Sequence, residues 1–355
     1  MNNIAKIQEK LTEKNLDAVL IENEKNQFYA AGFPFTDGAV LVAKKDAWLV
    51  TDSRYTEAAG LKSEKVEVLE YTRERKLDTI LAELMEKAGV KKLGVEEQSI
   101  SYGRYLEYKE KFPCELIPAQ DIFLSLRASK SEEEIGYMRE AQAISEKALE
   151  DVLHIIRPGM TEQEVMAELV YSMLRHGSEG NSFDPIVVTG AKTSMPHGVP
   201  GDVVIQDGDF VTMDFGCLKN GYCSDMTRTV AVGHVTDEMR NIYDIVLRAQ
   251  LAGIAAAKSG VTGRDIDMAA RNVITDAGYG AYFGHGFGHS LGLDIHEGPG
   301  ASVGSSVPMP VGAVVSAEPG IYLPGRFGVR IEDVMIIREG CCEVITKAPK
   351  ELIVL

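Results

Sequence analysis

A faint internal repeat in the second half of the chain limits the folds that it can adopt. The pattern Gly-x-Thr occurs at residues 159–161 and again at 260–262, 101 residues later, and each copy precedes a predicted helix. The helices that follow end at His176-Gly177 and Ala277-Gly278, which are also 101 residues apart. We therefore expect two similar halves that pack about a pseudo-two-fold axis.

The same repeat places two carboxylates in each half. The strand-like segment 209–216 corresponds to residues 313–320, which aligns Asp214 with Glu318 at an offset of 104. Asp225 and Glu332 form a second pair at an offset of 107. Loops tolerate insertions, so the drift in the offset requires only small changes between the strands.

The first pair of acids has a geometry that the sequence predicts. Asn220-Gly221 separates two strand-like segments and is typical of a tight hairpin turn. This turn would pair Lys219 with Tyr222 and fix the register of the ladder behind them. Because side chains alternate along a strand, Asp214 and Asp225 would then project from one face, provided that no bulge shifts the register.

Two carboxylates on one buried face repel each other and need compensation, which a divalent cation supplies most simply. With His289, the four acids form an oxygen-rich ligand set that suits Mn²⁺. The set is larger than one ion usually takes and suits two ions about 3.5–4 Å apart. The alternative for a single acid is an ordinary ion pair, with Asp225 bound to Arg228 or Glu332 bound to Arg330.

A glycine-rich segment, residues 283–297, contains three of the seven histidines: His285, His289 and His296. Four glycines lie among them and allow the backbone to approach a ligand or another strand closely. The segment alone is compatible with the floor of a metal or acid–base site, and equally with a loop that carries surface histidines.

The first third of the chain alternates short apolar strands with amphipathic helices, which predicts an α/β layer domain. The composition changes between about Leu124 and Ser131, where Ser131 and Glu134 predict a capping box before a long helix that reaches about Ile156. We therefore expect an N-terminal domain over residues 1–124 and a second domain over residues 131–355.

Bulk properties exclude some functions. A net charge of −16 argues against a nucleic-acid partner, which requires clustered Lys and Arg. No apolar run approaches the roughly 20 residues that span a bilayer, and the N-terminus does not resemble a signal peptide. The five cysteines include no CxxC pair, which is typical of reduced thiols, so we expect a cytoplasmic protein.

Several motifs resemble those of the pita-bread metallopeptidases, and most closely the Xaa-Pro peptidases, prolidase and aminopeptidase P. The motifs are MDFG at 213–216, GYCSDMTR at 221–228, GHGFGHSLGLDIHE at 284–297, EPGIY at 318–322 and GVRIED at 328–333. They cover most of the second domain. The first domain resembles the creatinase-type α/β domain of that family, most clearly at residues 51–55.

The resemblance implies a role for each candidate residue. Asp214 would bind one ion, His289 and Glu318 the other, and Asp225 and Glu332 would bridge the two. Glu318 would also act as general base. The residues expected to contact the substrate or assist catalysis are His197, His285, His296 and Arg330.

The resemblance also implies a homodimer that hydrolyses short proline-containing peptides with two divalent ions, Mn²⁺ first and Co²⁺ or Zn²⁺ as alternatives. Dipeptidase and aminopeptidase P both remain open. Two other functions share the fold: a metal-independent creatinase-like hydrolase and a non-catalytic peptide-binding protein. Methionine aminopeptidase shares it too, but it normally lacks the N-terminal domain.

Overall fold

The structure is a computed structural model that describes residues 2–63 and 65–355. The chain divides into two compact units, Met1–Arg127 and Ala128–Leu355. Within the described residues, no helix has the length and apolar character needed to span a membrane.

The first unit contains one mixed six-stranded sheet with strand order β4-β3-β2-β1-β5-β6. Its helices are α1 (Ile4–Glu13), α2 (Glu24–Ala31), α3 (Thr56–Lys62), α4 (Leu77–Lys87), α5 (Tyr102–Lys111) and α6 (Gln120–Arg127). Its strands are β1 (Ala18–Ile21), β2 (Gly38–Ala43), β3 (Ala47–Thr51), β4 (Glu67–Glu70), β5 (Lys92–Val95) and β6 (Glu115–Pro118).

Strand alternation divides the core of the first unit into two layers. Val19 and Ile21 of β1 pack with the apolar face of α1, whereas Ala18 and Leu20 pack on the opposite side with α4. Burial of both faces explains why β1 is apolar throughout. The α/β layer architecture predicted for this part of the chain is confirmed.

The second unit contains four helices and thirteen strands within its described residues. The helices are α7 (Glu132–Leu153), α8 (Glu162–Arg175), α9 (Asp237–Ala256) and α10 (Gly263–Asp276). The strands are β7 (Gly180–Asn181), β8 (Ile186–Thr189), β9 (Phe210–Phe215), β10 (Cys217–Lys219), β11 (Tyr222–Cys223), β12 (Met226–Ala231), β13 (Gly288–Ser290), β14 (Glu297–Ala301), β15 (Val314–Ala317), β16 (Gly320–Leu323), β17 (Phe327–Arg330), β18 (Asp333–Ile337) and β19 (Cys342–Val344).

The order of elements in this unit occurs twice, as the repeat predicts. Two helices, α7 and α8, precede the antiparallel pair of β9 and β12, and α9 with α10 precedes the antiparallel pair of β15 and β18. Thr161 and Thr262 cap α8 and α10 through their side chains. Each half also has its own cluster of buried apolar side chains.

The capping box of α7 forms as predicted, with the Ser131 hydroxyl and the Glu134 carboxylate each bonded to the other residue's backbone N–H. The helix ends at Leu153, earlier than the predicted end near Ile156. The Ile155 N–H bonds to the Val152 carbonyl, three residues back, so the last turn tightens and the helix ends before Pro158.

Candidate metal centre and active site

The hairpin between the first two acids has the predicted register. Lys219 pairs with Tyr222, and the turn residues Asn220 and Gly221 have positive φ angles of 50° and 76°. Farther along the same register, Asp214 of β9 lies opposite Thr227 of β12. Side chains at positions 214, 225 and 227 consequently face the same side of the ladder.

The ladder is interrupted next to Asp225. A Cβ atom on Gly216 would lie 1.9 Å from the Ser224 carbonyl oxygen, so only glycine allows the two strands to approach this closely. The Ser224 N–H donates to the Cys217 carbonyl at 2.9 Å, so the strands keep the same register on both sides of the interruption. Asp225 therefore lies at a break between two small sheets and immediately before β12.

The second pair of acids occupies corresponding positions in the other half. Glu318 directly follows β15, and Glu332 directly precedes β18, as Asp225 precedes β12. The halves are joined at this point, because the Glu332 N–H bonds to the Thr227 carbonyl at 3.1 Å and the Thr227 hydroxyl donates to the Glu332 carboxylate at 2.8 Å. Thr227 was not identified from the sequence.

All nine candidate residues line a single cavity of about 1060 Å³. They are Asp214, Asp225, His289, Glu318, Glu332, His197, His285, His296 and Arg330. The fold thus brings together acids and histidines that span 135 positions of the sequence, from His197 to Glu332.

Three of these residues are close enough to hold one cation. Ligand atoms of Asp225, His289 and Glu332 all lie within 4.8 Å of one another. His289 Nε2 is 3.6 Å from Asp225 Oδ2 and 3.4 Å from Glu318 Oε1. Nitrogen and oxygen donors at such distances can converge on a divalent ion.

Unsatisfied carboxylate oxygens indicate that a cation fits this site. Asp214 Oδ1, Asp225 Oδ1 and Glu332 Oε1 are buried and have no hydrogen-bond partner among the described residues. A buried acceptor without a partner costs about 1–3 kcal/mol, and more when it is charged. Metal coordination would satisfy all three oxygens at once.

His289 is oriented as a metal-binding histidine should be. Its Nδ1 lies 3.2 Å from the Ser290 carbonyl, and donation of the Nδ1 proton there leaves the Nε2 lone pair directed at the acids. Burial lowers the pKa of the ring, which favours the neutral form. The His289 N–H donates to the Ser316 hydroxyl at 2.9 Å, which fixes the backbone beneath the ring.

Three of the acids, Asp225, Glu332 and Glu318, have raised pKa values when no cation is bound. Burial raises the pKa of Asp225 and Glu332 well above the usual range, and repulsion between neighbouring carboxylates raises both further. Burial also raises the pKa of Glu318, to about 7, although the Arg330 guanidinium opposes that rise. The Ser316 hydroxyl donates to Glu318 Oε1 at 3.0 Å.

The ion pairs that the sequence left open do not form. Arg330 bonds to Asp214 Oδ2 at 2.7 Å rather than to Glu332, and Arg228 pairs with Asp333 at 2.9 Å rather than with Asp225. Neither of the two arginines is therefore paired with Asp225 or Glu332.

Tyr322 also belongs to the site, although it was not identified from the sequence. Its hydroxyl lies 3.0 Å from Arg330 Nη1 and 2.9 Å from His285 Nε2. It lies opposite Gly328 in a hairpin, and a Cβ there would come within 2.9 Å of the Tyr322 ring. Gly328 and Tyr322 both lie in the candidate ligand motifs, and a glycine that leaves room for an aromatic ring is a signal that could have identified Tyr322.

His285 is held by both ring nitrogens. Its Nδ1 lies 2.9 Å from the Gly286 carbonyl, and burial lowers its pKa to about 4, so the ring is neutral at pH 7. Nδ1 donates to the carbonyl, and Nε2 accepts from Tyr322. His285 therefore has no free ring N–H to donate and presents the C–H edge of its ring to the cavity.

Two ion pairs, Asp267–Arg271 and Glu162–Lys192, hold the segments that carry His285 and His197. Asp267 accepts the Phe287 N–H, and its partner Arg271 donates to the carbonyls of Phe283 and His285. Around His197, Glu162 accepts the N–H groups of Thr189 and Gly201 and pairs with Lys192 at 2.5 Å. His197 itself is exposed at the rim of the cavity.

This architecture, with an α/β unit followed by a duplicated unit around a carboxylate–histidine centre, defines a two-domain metallopeptidase. The family model described as "Metallopeptidase family M24" matches residues 136–339, and "Creatinase/Prolidase N-terminal domain" matches residues 3–129. The chain belongs to metallopeptidase family M24 and is a peptidase.

Full-length similarity extends to proteins of known structure. An Xaa-Pro dipeptidase from Bacillus anthracis is 43% identical with a TM-score of 0.96, and 99% of each chain is covered. An X-Pro aminopeptidase from Thermotoga maritima is 36% identical with a TM-score of 0.93 and complete coverage of both chains. An Xaa-Pro dipeptidase from Pyrococcus horikoshii is 37% identical over 99% of this chain and 98% of its own.

Proposed function

We propose that this peptidase hydrolyses the Xaa-Pro bond of dipeptides or of short peptides at their N-terminus. The observation that carries the proposal is the convergence of four acids and one histidine on a single cavity, with three unsatisfied buried oxygens. Similarity over the full chain to Xaa-Pro dipeptidases and to an X-Pro aminopeptidase supports the choice of substrate.

The proposed ligands are those predicted from the sequence. Asp214 would hold one divalent ion, His289 and Glu318 the other, and Asp225 with Glu332 would contact both. When bound, the ions would supply the positive charge that polarises the scissile carbonyl and lowers the pKa of water. We expect Mn²⁺ because the set is rich in carboxylates, with Co²⁺ and Zn²⁺ as alternatives.

The side chains around the ligands would position the substrate and move protons. Glu318 would accept a proton from the attacking water at its carboxylate, which the Ser316 hydroxyl orients. His296 would stabilise negative charge on the carbonyl oxygen or pass on the proton. Its ring centroid is 4.3 Å from that of His289. His197 would contact the substrate from the rim of the cavity.

The other two candidate residues are His285, which would contact the proline ring of the substrate, and Arg330, which would orient a ligand. His285 would present its ring edge to the proline ring, because both of its nitrogens are already engaged. Arg330 would orient Asp214 through their 2.7 Å ion pair rather than bind the substrate alone. A peptide bond to proline lacks an N–H, and no role in this scheme requires one.

A direct test removes metal with a chelator and then restores Mn²⁺, Co²⁺ or Zn²⁺ separately. Xaa-Pro dipeptides and Xaa-Pro-Yaa tripeptides are assayed beside matched Xaa-Ala peptides. We expect hydrolysis of proline substrates only after metal is restored, and the ratio of dipeptide to tripeptide turnover separates dipeptidase from aminopeptidase P. Absence of hydrolysis with every metal would refute the proposal, and activity that survives chelation would favour a creatinase-like hydrolase.

We also propose that the protein is a homodimer, as the resemblance implies. Each subunit would have two domains, residues 1–124 and residues 131–355. A cytoplasmic location is proposed because the described cysteines form no disulfide. Light scattering on the purified protein tests the first point, since a monomer at micromolar concentration would contradict it.

A further inference from the structure

A buried ion pair outside the ligand set joins the start of the second unit to the histidine segment. Lys130 Nζ lies 2.9 Å from Glu297 Oε2, and the two side chains are only 2% and 6% exposed. Burying two charges is costly unless the geometry is good and the remaining polar atoms are bonded. The additional contacts of both residues show what this pair holds in place.

Glu297 folds the loop that precedes it. Its Oε1 accepts the backbone N–H groups of Leu293 and Asp294 at 3.0 and 3.1 Å. A Cβ on Gly292 would come within 3.0 Å of the same carboxylate, so the loop approaches it as closely as glycine permits. Across the ladder, Glu297 pairs with Ser290, the neighbour of the candidate ligand His289.

Lys130 is itself fixed by its backbone. Its N–H donates to the Gly312 carbonyl at 2.9 Å, and the hydroxyl of the preceding residue, Ser129, donates to the Val311 carbonyl at 2.6 Å. The following residue, Ser131, caps α7. The ammonium group is thus a rigidly placed charge rather than the end of a mobile side chain.

His296 depends on this arrangement. Among the described residues, the His296 ring makes no hydrogen bond. Its centroid lies 4.3 Å from the centroid of the His289 ring. Its position is therefore set by the backbone of the loop 291–297, which ends at Glu297. We propose that Lys130 is a positioning residue: through Glu297 it fixes this loop and places the His296 ring beside His289.

The catalytic consequence rests on the proposed function. Lys130→Met alone would leave a buried carboxylate without its partner, so the main variant is Lys130→Met/Glu297→Gln, which removes both charges. We expect kcat on an Xaa-Pro dipeptide to fall about 10–100-fold, as is common when a supporting residue is lost, with KM changed less than about threefold. Lys130→Arg retains the charge and should recover most of kcat.

The matched control is Arg139→Met, which removes a half-exposed ion pair with Glu343. Its kcat should equal that of the wild type. Metal content and thermal unfolding are measured for every variant. A double variant with unchanged kcat, or with a raised KM and normal kcat, would overturn the proposal, as would Lys130→Arg no better than the double variant.

A spectroscopic measurement separates this proposal from the proposed function. In the metal-free protein, the ring Cε1–H resonance of His296 is assigned by its loss in His296→Gln. We expect it to shift or broaden in the double variant while the resonances of the distant His154 and His234 stay unchanged. An unmoved His296 resonance would overturn the proposal, whether or not the enzyme cleaves Xaa-Pro bonds.

Discussion

The pKa of Glu318 predicts a specific pH dependence of stability in the metal-free protein. Burial raises that pKa from 4.5 to about 7, and the side chain keeps 17% of its surface exposed to the cavity. A carboxyl with a raised pKa binds its proton more tightly in the folded than in the unfolded state. Its favourable contribution is complete below pH 4.5 and is lost as the pH rises towards 7.

The magnitude follows from the two pKa values. At about 1.4 kcal/mol per pH unit, a rise from 4.5 to about 7 corresponds to about 3 kcal/mol, most of which is lost between pH 5 and pH 8. Glu318→Gln removes the titrating group. The free energy of unfolding of the wild type, relative to this variant, should therefore drop by about 2–3 kcal/mol over that range.

The assay is urea unfolding in the presence of a chelator, at half-unit steps from pH 5 to pH 8. Glu168→Gln is the matched control for loss of a carboxylate, because Glu168 is exposed on α8 and does not line the cavity. Saturating Mn²⁺ should abolish the loss, since a bound cation favours the ionised carboxylate. A difference between wild type and Glu318→Gln that stays constant with pH would refute the reasoning.

Three further predictions follow from the site. Asp225→Asn and Glu332→Gln should each lose bound metal and activity, measured by metal analysis and peptide hydrolysis. Their metal-free unfolding temperatures should not fall, because each replaces one of several mutually repelling buried carboxylates with a neutral amide. Gly288→Ala should cost about 1–3 kcal/mol in urea unfolding because its Cβ would lie 2.0 Å from a backbone oxygen, whereas Gly284→Ala, with nothing within 4 Å, should cost far less. Tyr322→Phe should lower stability by about 1–3 kcal/mol, since two buried groups lose the hydroxyl that joins them, and a value near zero would contradict that account.

Local chemistry made much of the fold predictable. The capping box of α7 joins residues three apart, and the hairpin at Asn220-Gly221 depends on two residues that tolerate positive φ. Because the turn fixes the register, it also predicted that Asp214 and Asp225 face the same side. The repeat then indicated where the other two acids lie, since similar sequences form corresponding elements.

Contacts between the halves could not be predicted in this way. The Arg330–Asp214 ion pair joins residues 116 apart, and the sequence offered Glu332, two positions from Arg330, as the nearer partner. The partner of Arg330 depends on how the sheets pack against each other. A local sequence pattern does not contain that information. The same holds for Thr227, whose hydroxyl reaches Glu332 only because β12 and the segment before β18 lie side by side.

The order in which the candidate ligands occur along the chain affects how the protein can be assembled in a cell. Domains tend to fold from the N-terminus as synthesis proceeds, so the first half, with Asp214 and Asp225, is made well before Glu318 and Glu332. Until residue 332 has been synthesised, the half-site offers two repelling carboxylates without their counterparts. With these acids as the proposed ligands, metal loading would be a late step that follows the meeting of the two halves, and we expect a product truncated before residue 332 to retain no metal.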